Sequence, residues 1–364
     1  MISRTAIGLM SGTSMDGIDA AVLTRCGNGE LGQGPALARP YDGETKARLQ
    51  AILGGGGGRA EINETAEHVT RLHAGIINEL LKKNNLNIEN IDIIGFHGHT
   101  INHQPEQRKT CQIGDGGLLA RLTGIDVVDD FRSADVAAGG QGAPLAPLYH
   151  GALAAGLPKP LAVVNIGGVA NVTWIGADDE MLAFDTGPGN ALIDDWARRC
   201  GLGDMDMGGG LARAGRIDET GLADLLANDY FHRTPPKSLD RNDFALPPSL
   251  AGAPGWSAAD GAATLTAFTA RSVAKAQTYF PDIPKQWLVC GGGRHNPALM
   301  AALRSALEAE VVPVESVGWR GDYLEAEAFA YLALRHLDGL PLSLPTTTGV
   351  PHPMPGGRLN RNVV

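Results

Sequence analysis

The chain has 364 residues, 43% of them hydrophobic, with 30 basic against 40 acidic side chains and a formal net charge of −10. That length suits roughly two domains with buried cores, and an acidic balance with scattered basic residues argues against a nucleic-acid partner. No apolar run reaches the roughly 18 residues of a membrane span and no charged-then-apolar leader is visible, so a cytoplasmic protein without a membrane partner is expected, its four cysteines, Cys26, Cys111, Cys200 and Cys290, reading as reduced, mostly buried thiols with no C-x-x-C pair.

The first elements lie in "IGLMSGTSMDGIDAAVL". The apolar runs Ile7 to Met10 and Ile18 to Leu23 read as two strands of a hairpin. The loop between them is longer than a tight turn needs. Glycines at 12 and 17 let a backbone approach a ligand, and the hydroxyls of Ser11, Thr13 and Ser14 are donors for an anionic oxygen. Asp16 and Asp19 would repel a bare phosphate, so the pattern suits a magnesium-bound nucleotide. It is not a G-x-x-x-x-G-K-[ST] loop, because no lysine is present. An ordinary turn uses the same residue types and stands as the alternative.

Gly54 to Gly58 reads as a flexible loop, and Glu64 to Lys83 as a helix with Val69, Leu72, Ile76, Ile77 and Leu80 along one stripe. "IDIIGF" is a buried strand ending at "HGHT". His97, His99 and His103 could mimic a metal-ligand set, but substrate contact or burial is the preferred reading. Pro and Gly gather in "AAGGQGAPLAP", Ala137 to Pro147, and again in "LPTTTGVPHPMPGG", as expected where a chain crosses between domains or finishes.

"LAVVNIGGVANVTWI", Leu161 to Ile175, repeats the plan of the opening about 150 residues later, which suggests two similar domains facing each other across a cleft. "AFDTGPGNALIDDW" puts Asp185 at the end of an apolar run and on the lip of a Gly-Pro-Gly turn, before a helix opening near Asn190. There it is either a general base or a cap. "GDMDMGGG" reads as a surface loop rather than a calcium site, and "QWLVC" followed by "GGGRHNPALMAALRSAL" as a strand, a glycine turn and a helix. The alternation of strands and helices predicts an α/β architecture.

"GLMSGTSMDGIDAAVL", "HGHT", "QIGDGGLLA", "DFRSADVAAGGQGAPL", "NIGGVANVT", "FDTGPGNALID", "VCGGGRHNPAL" and "EAEAFAYLA" resemble, in this order and over almost the whole chain, the anhydro-N-acetylmuramic acid kinases. The resemblance implies two related domains of the actin-like ATPase (ribonuclease H-like) type around a nucleotide cleft, taken as residues 1–136 with 345–364 and residues 137–344. It implies ATP and Mg2+ as cofactors, held by a first phosphate loop of Gly12, Thr13, Ser14, Met15, Asp16, Gly17, Ile18 and Asp19. Asn165, Gly167 and Gly168 would form the second loop, and Gly291, Gly292 and Gly293 the adenosine loop. Asp185 would be the catalytic base, and His97, Thr100, Arg132 and Glu325 the sugar contacts, with no residue assigned to a metal and a homodimer as the assembly. The implied reaction opens the 1,6-anhydro ring of the sugar with water and phosphorylates O6. A kinase for a sugar with a free hydroxyl and a nucleotide-switched binding protein are the alternatives.

Two departures stand out from the family pattern. His99 takes the place of a usual Gln in "HGQT", and "PPKSLDRN", Pro235 to Asn242, replaces "PPKSTGRE". Neither is expected to touch Asp185 or the opening loop.

Overall fold

Strands of two-residue periodicity build two sheets of one design. The structure, a computed structural model, describes residues 2–12, 14–241, 243–246 and 255–362, so Thr13 and Asn242 lie outside the described residues. It divides into residues 1–155 with 323–364, and residues 156–322.

In the first unit β1 (Arg4–Ser11), β2 (Gly17–Arg25) and β3 (Leu31–Pro40) form an antiparallel meander. β4 (Ile93–Gln104) lies parallel to β1, with Gly8 beside Gly95, and carries β5 (Lys109–Ile113) on its far end. β6 (Val127–Asp129) is parallel to β4, and the strand Arg358–Asn360 closes that edge. In the second unit β7 (Leu161–Ile166), β8 (Val169–Ile175) and β9 (Met181–Pro188) repeat the meander. There β10 (Gln286–Cys290) runs parallel to β7, and β11 (Glu310–Pro313) parallel to β10. The orders β3-β2-β1-β4-β6 and β9-β8-β7-β10-β11 are therefore the same, and the two hairpins seen in the sequence are the first two strands of each.

The helix expected from residue 64 runs over Arg59–Lys83 and buries Val69, Ile76, Ile77 and Leu80 completely. Before it, Gly54, Gly55 and Gly57 adopt φ of 67°, 81° and 73°, a left-handed turn that side chains resist. The second core is built on Trp287, Phe184, Val164 and Val289 under the helix Ala258–Lys275.

The chain crosses between units at 155/156 and 322/323. The expected crossings at 136/137 and 344/345 both fall inside the first unit, and packing explains why. The helix Leu324–Leu337 lies so close on β1 and β4 that a Cβ on Gly8 would stand 1.7 Å from the Ala326 carbonyl oxygen, and one on Gly95 2.1 Å from that of Phe329. The helix Pro147–Leu153 is tied to it by the Tyr149 hydroxyl, which donates to the buried Glu327 carboxylate at 2.7 Å.

All four cysteines are free, but only Cys290 is buried; Cys26 and Cys200 are half-buried and Cys111 is exposed on β5. No helix among the described residues is long and apolar enough to cross a membrane.

Candidate active site

In the first unit Met15, Asp16 and Gly17 form a shaped turn. Met15 is left-handed at φ 54°, its N–H bonded to the Gly12 carbonyl at 3.0 Å, and the Tyr41 N–H donates to the Asp16 carbonyl at 3.0 Å. The Ser14 hydroxyl donates to the Asp16 carboxylate at 2.8 Å, and the Gly17 N–H to the same oxygen at 3.0 Å. Ser14 thus orients a carboxylate in this conformation. Ile18 is buried and Asp19 half-buried in β2, opposite Met10.

Ser11 is buried at the foot of this turn. Its hydroxyl meets the Tyr41 hydroxyl at 2.8 Å and His99 Nδ1 at 2.9 Å. His99 therefore does touch the segment that opens the loop, contrary to expectation: the register that sets β4 beside β1 pairs Ser11 with His99. Burial pulls the His99 pKa down to about 4 and pushes that of Tyr41 up to about 12, the latter helped by the Asp16 and Asp19 carboxylates. Both groups are neutral at pH 7.

Two residues earlier on β4, His97 is buried and accepts at Nε2 from Arg132 Nε at 3.1 Å, while Nδ1 faces the Gly98 carbonyl at 2.9 Å. Burial and then the neighbouring Arg132 charge hold His97 well below its ordinary pKa, so a neutral ring with its proton on Nδ1 satisfies both contacts. The guanidinium also donates from Nη1 to the Gly142 carbonyl at 2.6 Å, and the Gly142 N–H to the Asp135 carboxylate at 2.6 Å. Thr100 accepts from Gln112 at 3.2 Å, and Glu325 is exposed in the first turn of its helix. His103 instead pairs with Thr110 at 3.0 Å.

The second unit brings its predicted loops together. Cys290, Asn165, Asn171 and Asp185 are successive register partners across β10, β7, β8 and β9, so they form one row over four strands. Asn171 carried no signal that sequence alone could read. The Gly167 and Gly168 carbonyls accept from the Asn190 N–H at 2.7 Å and the Gly189 N–H at 2.9 Å, which locks the second loop to the Gly-Pro-Gly turn.

The glycines separate into two kinds. A Cβ at Gly12, Gly167, Gly168 or Gly292 would meet nothing nearer than 3.5 Å, so these faces are open to an approaching group. A Cβ at Gly17 would fall 2.3 Å from the Arg39 carbonyl oxygen, at Gly291 2.3 Å from the Asn165 side chain, and at Gly293 2.5 Å from Ile166. Those three are glycine because the protein packs against them.

Asp185 is buried in β9 and does not cap the next helix, whose N-cap position is Asn190. Neighbouring segments hold it at both backbone and side chain. Its N–H donates to the Lys237 carbonyl at 3.0 Å, its carbonyl accepts from the Tyr230 hydroxyl at 2.5 Å, and its Oδ2 accepts from the Leu239 N–H at 2.7 Å. The "PPKSLDRN" segment therefore grips Asp185, where no such contact was expected. Main-chain bonds carry no residue signature, so the side-chain differences in that segment were uninformative.

Comparison with known proteins agrees over nearly the whole chain. The family model described as anhydro-N-acetylmuramic acid kinase matches residues 4–359. A protein of that name from Rhodospirillum rubrum is 56% identical over 97% of this chain and 93% of its own length. Another from Paramagnetospirillum magneticum is 53% identical over 97% of this chain and 98% of its own length.

Proposed function

The chain belongs to the anhydro-N-acetylmuramic acid kinase family, and from that premise we propose that Asp185 is the base of its reaction. The enzyme is an ATP-dependent kinase that opens the 1,6-anhydro ring of its sugar with water and phosphorylates O6, giving N-acetylmuramic acid 6-phosphate and ADP. O6 of this substrate is an ether oxygen with no proton to lose. Asp185 instead takes a proton from water as the water oxygen bonds to C1; the C1–O6 bond breaks, and O6 bonds to the γ-phosphorus as the bond to ADP breaks.

The single observation that carries this reading is the fixed carboxylate: Asp185 sits within β9, held at N–H, carbonyl and Oδ2, in the same row as Asn165. The open faces of Gly12, Gly167, Gly168 and Gly292 fit phosphate oxygens, with the backbone N–H groups of Gly12, Gly168 and Gly292 as donors, while that of Gly167 is given to the Val169 carbonyl at 3.2 Å. Asp16, braced by Ser14 and Gly17, fits a hydrated Mg2+. When bound, Mg2+ would offset charge on the transferring phosphoryl. Arg132, held by neutral His97 and Gly142, would meet an anionic group of the sugar, with Thr100 and Glu325 as further contacts. We assign the protein to the cytoplasm, as a homodimer, on the family resemblance.

Single-turnover reaction in ¹⁸O-water tests the mechanism. The label belongs on the C1 hydroxyl of the product, read before ring opening exchanges it. Label in inorganic phosphate would mean an ATPase of the switch type, and label nowhere would mean phosphorylation of a pre-existing hydroxyl. Asp185→Asn should lower kcat by roughly 10²- to 10⁴-fold while ATP still binds. Wild-type turnover in that variant would remove Asp185 from the chemistry.

A further inference from the structure

We propose that Lys237 is a positioning residue for Asp185, anchoring in an aromatic cage the short segment that fixes the carboxylate. The proposal rests on the reading of Asp185 as the base.

Lys237 is a buried cation, and among the described residues no carboxylate forms an ion pair with it. Its ammonium lies 4.6 Å from the centre of the Tyr230 ring, 4.9 Å from that of Tyr279 and 5.7 Å from that of Phe184, and donates to the Tyr230 carbonyl at 3.0 Å. Three ring faces and one carbonyl replace water around the charge. Phe184 immediately precedes Asp185 on β9, and Tyr230 is the residue whose hydroxyl bonds the Asp185 carbonyl at 2.5 Å. The ammonium thus draws together the two pieces of chain that hold Asp185.

The contacts close into a loop. Lys237 Nζ bonds the Tyr230 backbone, the Tyr230 hydroxyl bonds the Asp185 backbone, the Asp185 N–H bonds the Lys237 carbonyl, and two residues on the Leu239 N–H bonds Asp185 Oδ2. Removing the ammonium leaves the Tyr230 carbonyl and the cage without their central group, and releases the segment that carries the Leu239 N–H. A carboxylate base acts over hydrogen-bond distance, so loss of its fixed rotamer lowers turnover more than ligand binding.

The groups facing Lys237 also make its charge sensitive to pH. Tyr230 and Arg233 face it from one segment, Phe184 from β9, Tyr279 from the turn Ala276–Tyr279 and Lys275 from the helix Ala258–Lys275. Burial first, then the Arg233 and Lys275 charges, bring its pKa down to about 8. It is a cation below that pH and neutral above it, so the clasp weakens on the alkaline side.

The test is the pH profile of kcat for the full-length enzyme from pH 6.5 to 9.5, with ATP and the anhydro sugar, in wild type and Lys237→Met. The wild type should lose kcat through about pH 8. Lys237→Met should show kcat lowered by roughly 10- to 100-fold at pH 7, KM for ATP within about two-fold, and no fall near pH 8. Lys237→Arg, which keeps a charge that does not titrate in this range, should recover part of kcat and stay flat to pH 9.5. Wild-type kcat in Lys237→Met, or the same alkaline fall in that variant, overturns the proposal. Should circular dichroism show Lys237→Met unfolded, Tyr230→Phe removes one bond to Asp185 and leaves the cage; it must lower kcat yet keep the fall near pH 8, and unchanged kcat refutes the clasp. Asp185→Asn is run in parallel. Activity there would discard the base itself, whereas an inactive Asp185→Asn beside a fully active Lys237→Met discards the clasp alone.

Discussion

Acid should unfold the first unit through its buried histidines, and the size of the effect can be worked out. Burial holds His73 and His99 at about 4 and His150 at about 3, against an ordinary 6.5. A lowered folded-state value means that the unfolded chain binds the proton first as pH falls. The stabilisation is therefore complete above pH 6.5 and is lost as pH falls from 6.5 to about 4 for His73 and His99 and to about 3 for His150. At pH 5 each of the three costs about 2 kcal/mol relative to pH 7.5, or about 6 kcal/mol together. His97, also buried and shifted the same way, adds to this. A domain stable by about 5–15 kcal/mol cannot absorb much more than that loss. His73 is the residue to change. Its Nε2 is buried with no hydrogen-bond partner among the described residues, and its ring packs edge-on against Phe96 at 4.9 Å, so leucine fills a site that is already largely apolar. Urea unfolding followed by far-ultraviolet circular dichroism at pH 5.0 and 7.5 should show His73→Leu losing about 2 kcal/mol less than wild type over that interval. Tryptophan fluorescence is an internal control, because Trp174, Trp196, Trp256, Trp287 and Trp319 all lie in the second unit. Equal pH dependence in the variant and wild type would refute the reasoning.

Gly8→Ala drives a Cβ to 1.7 Å from the Ala326 carbonyl oxygen; the thermal midpoint should drop by an amount equivalent to about 3 kcal/mol or more, and an unchanged midpoint would contradict the packing. Gly12→Ala meets nothing closer than the Ser14 hydroxyl at 3.5 Å, so stability should hold within about 0.5 kcal/mol while KM for ATP rises; intact ATP use would take this glycine out of the phosphate loop. Arg132→Lys keeps the charge but loses the fork that reaches both His97 and Gly142, and kcat/KM for the sugar should fall by roughly 10-fold or more with KM for ATP unchanged, read by coupled ADP release.

The two hairpins, the long helix Arg59–Lys83 and the α/β character are local in origin, since apolar periodicity and turn formers are properties of neighbouring residues. Asp185 stood out for the same reason, as a carboxylate between an apolar run and a glycine turn. Contacts across long separations were not legible. Ser11 meets His99 because β1 and β4 are adjacent, and Leu239 reaches Asp185 through a main-chain N–H that any residue would supply. The glycines of the predicted loops looked alike, yet three are filled by protein and four are open, a difference made by distant atoms. Composition and spacing thus determined which segments bear the chemistry. Tertiary structure alone decided which backbone and buried side chains hold those segments in place, because burial and register depend on what the rest of the chain packs against them.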